Sequence, residues 1–337
     1  MNTKNGYKKP QLEDIAAALG ISKSTVSRAI SGKGRIRAET RERVFECMRE
    51  MNYRPNIIAK SLSEQKTYSI GVIMPIDSSE AEAPFYQACL MGITRECSLR
   101  DYNAVIIGTE RHDYSQLERI LEDRRIDGAI VTRPASDGLQ EKLLSEYEMP
   151  FVVIGKSVYE KSATVDSDHT NGCKSLTSYI FLSTPPERVG LILGNTGYTV
   201  NKSRYIGFNE AFEKAGRVPN EQLIFTDIDS SLQFSKAVSM LLKQDPGCII
   251  CGDDNICMKL LSKLNETGIS VPQDIKVASF YDSAYLDSYI PPITSLRFDS
   301  AELGIMATKR LYSIIDETSS SANTVQDYEL LIRRSTI

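Results

Sequence analysis

Lys23, Ser24, Ser27 and Arg28 fall on one side of the stretch Lys23–Ile30 if it is helical, while Val26, Ala29 and Ile30 fall on the other. An ammonium, a guanidinium and two hydroxyls on one face donate hydrogen bonds and carry positive charge. That chemistry suits the phosphates and acceptor edges of a nucleic acid. Other reactive side chains are less well arranged. Seven cysteines stand at 47, 89, 97, 173, 248, 251 and 257. Cys248 and Cys251 make a C-x2-C pair, but inside the apolar run "GCIICGDDNIC", with no second pair or histidine tract to complete a zinc site. His112 and His169 are the only histidines. The cysteines are therefore read as small buried apolar residues in a reducing compartment, and no metal is expected. "GLILGNTGYTVNKSR" has glycines after an apolar run, yet matches neither G-x-G-x-x-G nor G-x4-G-K-[ST]. Asp253-Asp254 could exchange protons, but nothing places a nucleophile or metal beside them. These residues do not describe an enzyme, and no cofactor is implied.

The face at 23–28 needs a scaffold, and its flanks supply one. Leu12, Ile15, Ala16 and Leu19 repeat at helical spacing, and Gly20 follows where a left-handed stop suits glycine. Ile21 fills the turn, and Ser22 stands at the N-cap of the next helix. A third helix over about 38–51 turns Val44, Met48 and Met51 inward. Between them, "SGKGRIR" adds glycines for close approach and the cations Lys33, Arg35 and Arg37 for a phosphate backbone. A helix, a glycine turn and a second helix with a polar, basic face is what entry into a major groove requires. The charge distribution agrees. Residues 1–66 hold 14 Lys/Arg against 7 Asp/Glu, a net of +7, whereas the whole chain carries −4. A basic head on an acidic body implies that the head meets double-stranded DNA and the body does not.

Pro55-Asn56-Ile57-Ile58-Ala59-Lys60-Ser61-Leu62 begins with residues at ease in a first helical turn. So short a helix does not hold alone in water, so this hinge is expected to form only when something packs on it. Beyond the polar linker, the runs "YSIGVIMP", "NAVIIGT", "DGAIVTRP", "FVVIGK", "RVGLILG", "CIICG" and "IKVASF" alternate with amphipathic stretches of helix length. That alternation predicts two α/β lobes of parallel sheet, divided near 160, with a ligand cleft at the carboxyl ends of the strands. The expected domains are a head at 1–54, hinge and linker at 55–67, and a body at 68–337. Within the body, lobe 1 is expected at about 68–162 plus 295–320 and lobe 2 at about 163–294 plus 321–337. No run approaches the roughly 18 apolar residues of a membrane span. Met1 to Pro10 is polar and lysine-bearing, so no secretory signal is read and the cytoplasm is the expected location. An extracellular solute-binding protein, which the body alone would suit, is disfavoured on the same ground.

"LEDIAAALGISKSTVSRAISGKGRIRAETRERV", followed by "MNYRPNIIAKSLSEQKTYSIGVIMP", resembles the N-terminal region of the lactose- and purine-repressor (LacI) family. "VDSDHTNGCKSL", "SRYIGFNEAF", "CGDDN", "VPQDIKVASFYDS" and "IPPITSLRFDSAELG" continue the resemblance in order, so it covers essentially the whole chain. It implies an α/β protein with an all-α helix-turn-helix head, joined by a hinge helix to a two-lobed, type I periplasmic-binding-protein-like body of parallel sheets. The implied function is a transcriptional repressor that binds a pseudo-palindromic operator as a homodimer, under control of a sugar-like effector in the cleft. Lys23 and Ser24 occupy the implied base-reading positions, Arg28 that of the recognition-helix arginine, and Ser22, Thr25 and Ser27 capping and backbone contacts. Arg35, Tyr53, Asn56, Ala59 and Lys60 complete the implied DNA contacts, and Leu62 is the implied minor-groove wedge. Gln11 replaces the usual Thr, which would weaken the first helix cap, and Ser63 stands where several relatives carry Lys. In the cleft, Arg204 corresponds to an effector clamp, Asp168 to an aspartate at the opening of lobe 2, and Phe85 to an aromatic against the ligand. Asp253, Tyr281 and Asp282 complete the implied effector set. Asp253 departs from the Asn of many sugar-binding members, Tyr281 from a frequent Asp, and His169 from the usual Asn after Asp168. With no leucine-heptad tail after the family core, a dimer rather than a tetramer is implied.

Overall fold

The computed structural model describes residues 10–31, 35–53, 61, 64–76, 84–110, 113–160, 162–318 and 323–337. The chain divides into two units, Met1–Lys66 and Thr67–Ile337. In the first, α1 (Leu12–Leu19), α2 (Lys23–Ser31) and α3 (Ala38–Glu50) pack around Ile15, Val26, Ala29 and Val44, all with no exposed surface. Full burial of a side chain the size of Ile15, Val26 or Val44 contributes about 1.5–3 kcal/mol, so a handful of such residues holds the three helices together. Gly20 ends α1 in the left-handed region at φ 64°. The α1 start is not left open by Gln11, because Asp14 accepts from the Gln11 backbone N–H at 2.6 Å. Ser22 caps α2, its Oγ accepting from Thr25 N–H at 3.1 Å.

The second unit contains two sheets. In the first, the order is β2-β1-β3-β4-β5-β11 and every pairing is parallel. These strands are β1 (Ser69–Pro75), β2 (Asn103–Thr109), β3 (Gly128–Val131), β4 (Phe151–Ile154), β5 (Ala163–Ser167) and β11 (Thr324–Gln326). The second sheet runs β7-β6-β8-β9-β10-β12, from β6 (Val189–Ile192), β7 (Ile224–Phe225), β8 (Cys248–Cys251), β9 (Lys276–Ser279), β10 (Thr294–Arg297) and β12 (Glu329–Leu331). Its β10/β12 pair is antiparallel, a departure from the expected all-parallel sheet. The two lobes repeat one topology. β3, β6 and β8 are buried at every position, which is why their sequences are unbroken apolar runs.

Helices cover both faces of each sheet. α4 (Pro84–Ser98) and the later α12 (Ser300–Ile315) share a core with β1 and β4, while α5 (Ser115–Glu122) and α6 (Leu139–Glu146) pack on the opposite face. In lobe 2, α7 (His169–Ile180) and α8 (Thr199–Lys214) lie on one face, and α9 (Ser231–Leu242), α10 (Asp254–Glu266) and the short α11 (Ala284–Ser288) on the other. All seven cysteines are buried and free. No helix among the described residues is long and apolar enough to cross a membrane.

The exchanges between lobes differ from those expected. Residues 163–167 pair with β4 and β11, which places both β5 and 324–326 in lobe 1, whereas 294–297 pairs with β9 in lobe 2. The chain therefore crosses after Ser167, after Arg297 and after Gln326. Gln326 ties the crossings together: its carbonyl accepts from Asp168 N–H at 3.0 Å, and its side-chain amide donates to Asp299 O at 3.1 Å.

Candidate functional site

Two surfaces hold the residues singled out by sequence. On the head, Lys23, Ser24, Ser27 and Arg28 are exposed along α2, while Val26 and Ala29 on its other side are fully buried. The first turn of α2 contains no acidic residue of its own, which favours a phosphate at that end. The Lys23 ammonium bonds the Glu13 carboxylate of α1, and that bond holds Glu13 below the usual carboxylate range. Ser22 Oγ lies 2.8 Å from both Ser24 Oγ and Thr25 Oγ1, so the three hydroxyls form one cluster at the start of the helix. Arg35 is exposed, and Tyr53 is half-buried against the head core, where burial raises its hydroxyl pKa. Lys33, Asn56, Ala59, Lys60, Leu62 and Ser63 lie outside the described residues.

Between the lobes of the second unit is a cavity of about 450 Å³, lined by residues that follow the carboxyl ends of strands in both sheets. Arg133 follows β3, Gly155 follows β4 and Asp166 lies near the end of β5; Asn195, Asp253, Tyr281 and Phe298 follow β6, β8, β9 and β10. On one side, the lobes touch directly. Ser136 N–H donates to Gly197 O at 2.8 Å, and the Arg133 guanidinium lies over the Tyr198 ring at 4.3 Å.

Four of the expected effector residues line this cavity. Arg204, on α8, is 7% exposed; its Nη1 donates to Asn201 Oδ1 at 3.0 Å, while its buried Nε has no partner among the described residues. An orphaned guanidinium N–H is costly unless a ligand supplies an acceptor. Phe85 meets Tyr281 edge-on, with ring centroids 6.1 Å apart. Tyr281 is buried with its hydroxyl 2.9 Å from Ser300 Oγ, and burial pushes it up to about 12. Asp253 caps α10 through Ile256 N–H at 2.8 Å and also faces the cavity.

Asp168 and Asp282 do not line it. Asp168 caps α7, accepting from Asn171 N–H at 3.1 Å and Asn171 Nδ2 at 2.8 Å. Asp282 is buried in an ionic network, accepting from Arg333 Nη1 at 2.6 Å, Ser295 Oγ at 2.6 Å and Arg297 Nε at 3.1 Å. Burial pulls its carboxyl up, but the Arg333 and Ser295 hydrogen bonds outweigh this and hold it below its ordinary value. Both carboxylates are committed to holding the fold.

Other cavity residues were not singled out as effector contacts. Asp166 is 8% exposed, and burial raises it to about 6. Asp254 is likewise raised by burial. His169, the first residue of α7, is 8% exposed, and its imidazole packs on Phe298 with centroids 4.5 Å apart. Burial, reinforced by Arg204 and Lys156, drives its pKa well down, so it is neutral. Strand-end position in "VDSDHTNG" marks this neighbourhood, but not which of its side chains turns inward. Aromatic faces, amides, carboxylates and a buried guanidinium give the cavity apolar surface and directed hydrogen-bonding groups suited to a small polar molecule.

A sequence profile described as bacterial regulatory proteins, lacI family, matches residues 11–56, and one described as a periplasmic binding protein-like domain matches 185–336. The chain is 30% identical over 323 residues to the HTH-type transcriptional regulator MalR of Streptococcus pneumoniae, covering 92% of this chain and 94% of that one. It is 27% identical over 334 residues to the HTH-type transcriptional repressor PurR of Pasteurella multocida, covering 96% and 98%. Among solved structures, the lac repressor dimer bound to operator and the anti-inducer ONPF superposes with a TM-score of 0.81 at 21% identity, covering 98% of this chain and 100% of that one. A transcriptional regulator CelR–cellobiose complex superposes with a TM-score of 0.74 at 25% identity, covering 97% and 99%.

Proposed function

The chain belongs to the lacI family of bacterial regulatory proteins, and on that premise we propose that it is a repressor whose operator affinity is set by an uncharged sugar in the inter-lobe cleft. The observation that carries the DNA-binding half is α2 itself: a helix with Lys23, Ser24, Ser27 and Arg28 exposed over a fully buried back face. Lys23 and Ser24 read base edges, while Ser22, Thr25, Ser27, Arg28, Arg35 and Tyr53 fix the register on the backbone. A homodimer would place two such helices in successive major grooves of a pseudo-palindrome, about 34 Å apart. Exposed apolar side chains such as Met91, Ile106, Tyr285 and Ile290 offer surface for that association. The hinge residues Asn56, Ala59, Lys60 and Leu62 enter the intervening minor groove; this part rests on the sequence. The working division is a head at 1–54, a hinge and linker at 55–67 and a body at 68–337.

In the cleft, Arg204, Phe85, Asp253 and Tyr281 hold the effector, with Asp168 and Asp282 serving the frame instead. Asp166, Asp229, Asp253 and Asp254 share the cavity wall with Arg133, Arg204 and Lys259. Carboxylates thus equal or exceed cations, and a phosphorylated ligand meets repulsion that a neutral sugar does not. The CelR–cellobiose complex is consistent with a sugar. Binding shifts the lobes about the crossings tied by Gln326, which couples sugar and operator by linkage of either sign.

The test is a mobility shift of the full chain on DNA from its own promoter region, at two salt concentrations, with neutral sugars and sugar phosphates in turn. A shift that weakens with salt and changes only with a neutral sugar is expected. Absence of any shift at low salt would refute DNA recognition.

A further inference from the structure

We propose that His169 selects the effector in this chain: the imidazole in the lobe 2 wall accepts a hydrogen bond at Nδ1 from one hydroxyl of an uncharged sugar while Arg204 donates to a neighbouring hydroxyl. This inference rests on the reading of the cleft as a sugar site. His169 lines the cavity, is more than nine-tenths buried, and has an Nδ1 with no hydrogen-bond partner among the described residues. An acceptor left unpaired in an interior is tolerated more readily than an unpaired N–H. Nδ1 therefore keeps its lone pair with the proton on Nε2, and that lone pair is the unmet group a ligand hydroxyl can satisfy. A tilted contact with the Phe298 ring, centroids 4.5 Å apart, fixes the imidazole plane, so Nδ1 is oriented before the ligand arrives.

Arg204 stands beside it for a packing reason. α8 crosses α7 so closely that a Cβ on Gly207 would lie 2.2 Å from Thr170 O. Thr170 is the residue after His169, and Gly207 is one helical turn from Arg204, so the contact brings the two orphaned side chains to one wall. The guanidinium Nε and the imidazole Nδ1 are thus a donor and an acceptor with unmet demand on one wall, the complement of two adjacent hydroxyls, which can both accept and donate. A carboxylate or phosphate ligand could accept from Arg204, but, being acceptor-only when ionised, it would offer nothing to Nδ1 unless the buried imidazole took up a proton next to Arg204, and it would share the cavity with Asp253 and Asp254.

The experiment uses the full chain carrying ¹⁵N-labelled histidine, with maltose, cellobiose and glucose 6-phosphate as probes. His169 resonances are assigned by their loss in His169→Phe, since His112 is the only other histidine. Expected are an Nε2-protonated ring, a shift of its ¹⁵N signals with whichever neutral sugar raises the melting temperature, and at least about tenfold weaker binding in His169→Phe. Phe keeps the ring area and removes the nitrogens, and His169→Asn, whose side-chain oxygen restores an acceptor at the Nδ1 position, should recover part of the loss. A sugar that binds without moving the His169 signals, and equally well to His169→Phe, overturns the assignment and leaves the cleft reading standing. Tighter binding of glucose 6-phosphate than of either disaccharide overturns the uncharged class. If neither disaccharide binds, the cleft reading and the His169 assignment fall together.

Discussion

Asp166 is a carboxyl held in a place that disfavours its charge. Its pKa in the fold is raised by burial to about 6, against an ordinary 3.8, so the folded chain takes up a proton more readily than the unfolded one. Its contribution is therefore most favourable below about pH 3.8 and is lost as pH rises through about 6. Asp166→Asn, which retains an oxygen for the Ser167 N–H at 2.8 Å, should leave stability unchanged near pH 4 and raise it by up to roughly 3 kcal/mol above pH 7. Urea titrations at the two pH values check this; an equal effect at both contradicts it. Asp282→Asn should act in the opposite direction, costing about 3 kcal/mol or more by leaving Arg333 without its buried counter-charge. Sugar affinity of the folded variant should stay the same, and a selective loss of affinity would return Asp282 to the effector site. On the head, Glu13→Gln removes the partner of Lys23, so operator affinity is expected to rise about two- to fivefold at low salt. A fall in anisotropy-measured affinity would show that Glu13 orients Lys23 instead. The carboxylates also show where sequence stops informing. Asp166, Asp168, Asp253 and Asp282 all follow or end strands, and a sequence does not distinguish a helix cap, an Arg333 partner and a cavity wall.

At the scale of elements, the most legible segments were those with the simplest burial. Cys248–Cys251 and Val189–Ile192 are covered on both faces and read as strands from composition alone. Ile224–Phe225, Thr324–Gln326 and Glu329–Leu331 are short or half-exposed, and no periodicity marks them. The head helices were legible for a different reason. Gly20 and Ser22 are chemical punctuation whose roles, a left-handed stop and an N-cap, do not depend on distant partners. Helix contacts in the body do depend on them. Gly207 is required by Thr170, a residue that neither helix pattern points to. Gly207→Val should destabilise the body by about 3 kcal/mol and weaken sugar binding at least tenfold by parting α8 from α7. Calorimetry on the variant tests both, and an unchanged melting temperature would mean the helices separate at no cost.

For the molecule as a whole, the asymmetry of charge was readable before any coordinate, because it needs only counting: +7 in residues 1–66 within a chain of −4. The exchange of strands between lobes was not, since Thr324 pairs with Val165 across more than a hundred residues and a second sheet. That exchange bears on the proposed function, which has one lobe shift against the other about the three crossings joined at Gln326. A ligand can shift such an equilibrium only by its differential affinity for the two arrangements, commonly about 1–3 kcal/mol. The decisive measurement is operator affinity of the full chain at fixed salt, with and without a saturating neutral disaccharide that raises its melting temperature. A change of about 5- to 150-fold, abolished in Arg204→Ala, is the expected result. Operator affinity identical with and without the bound sugar would contradict the account.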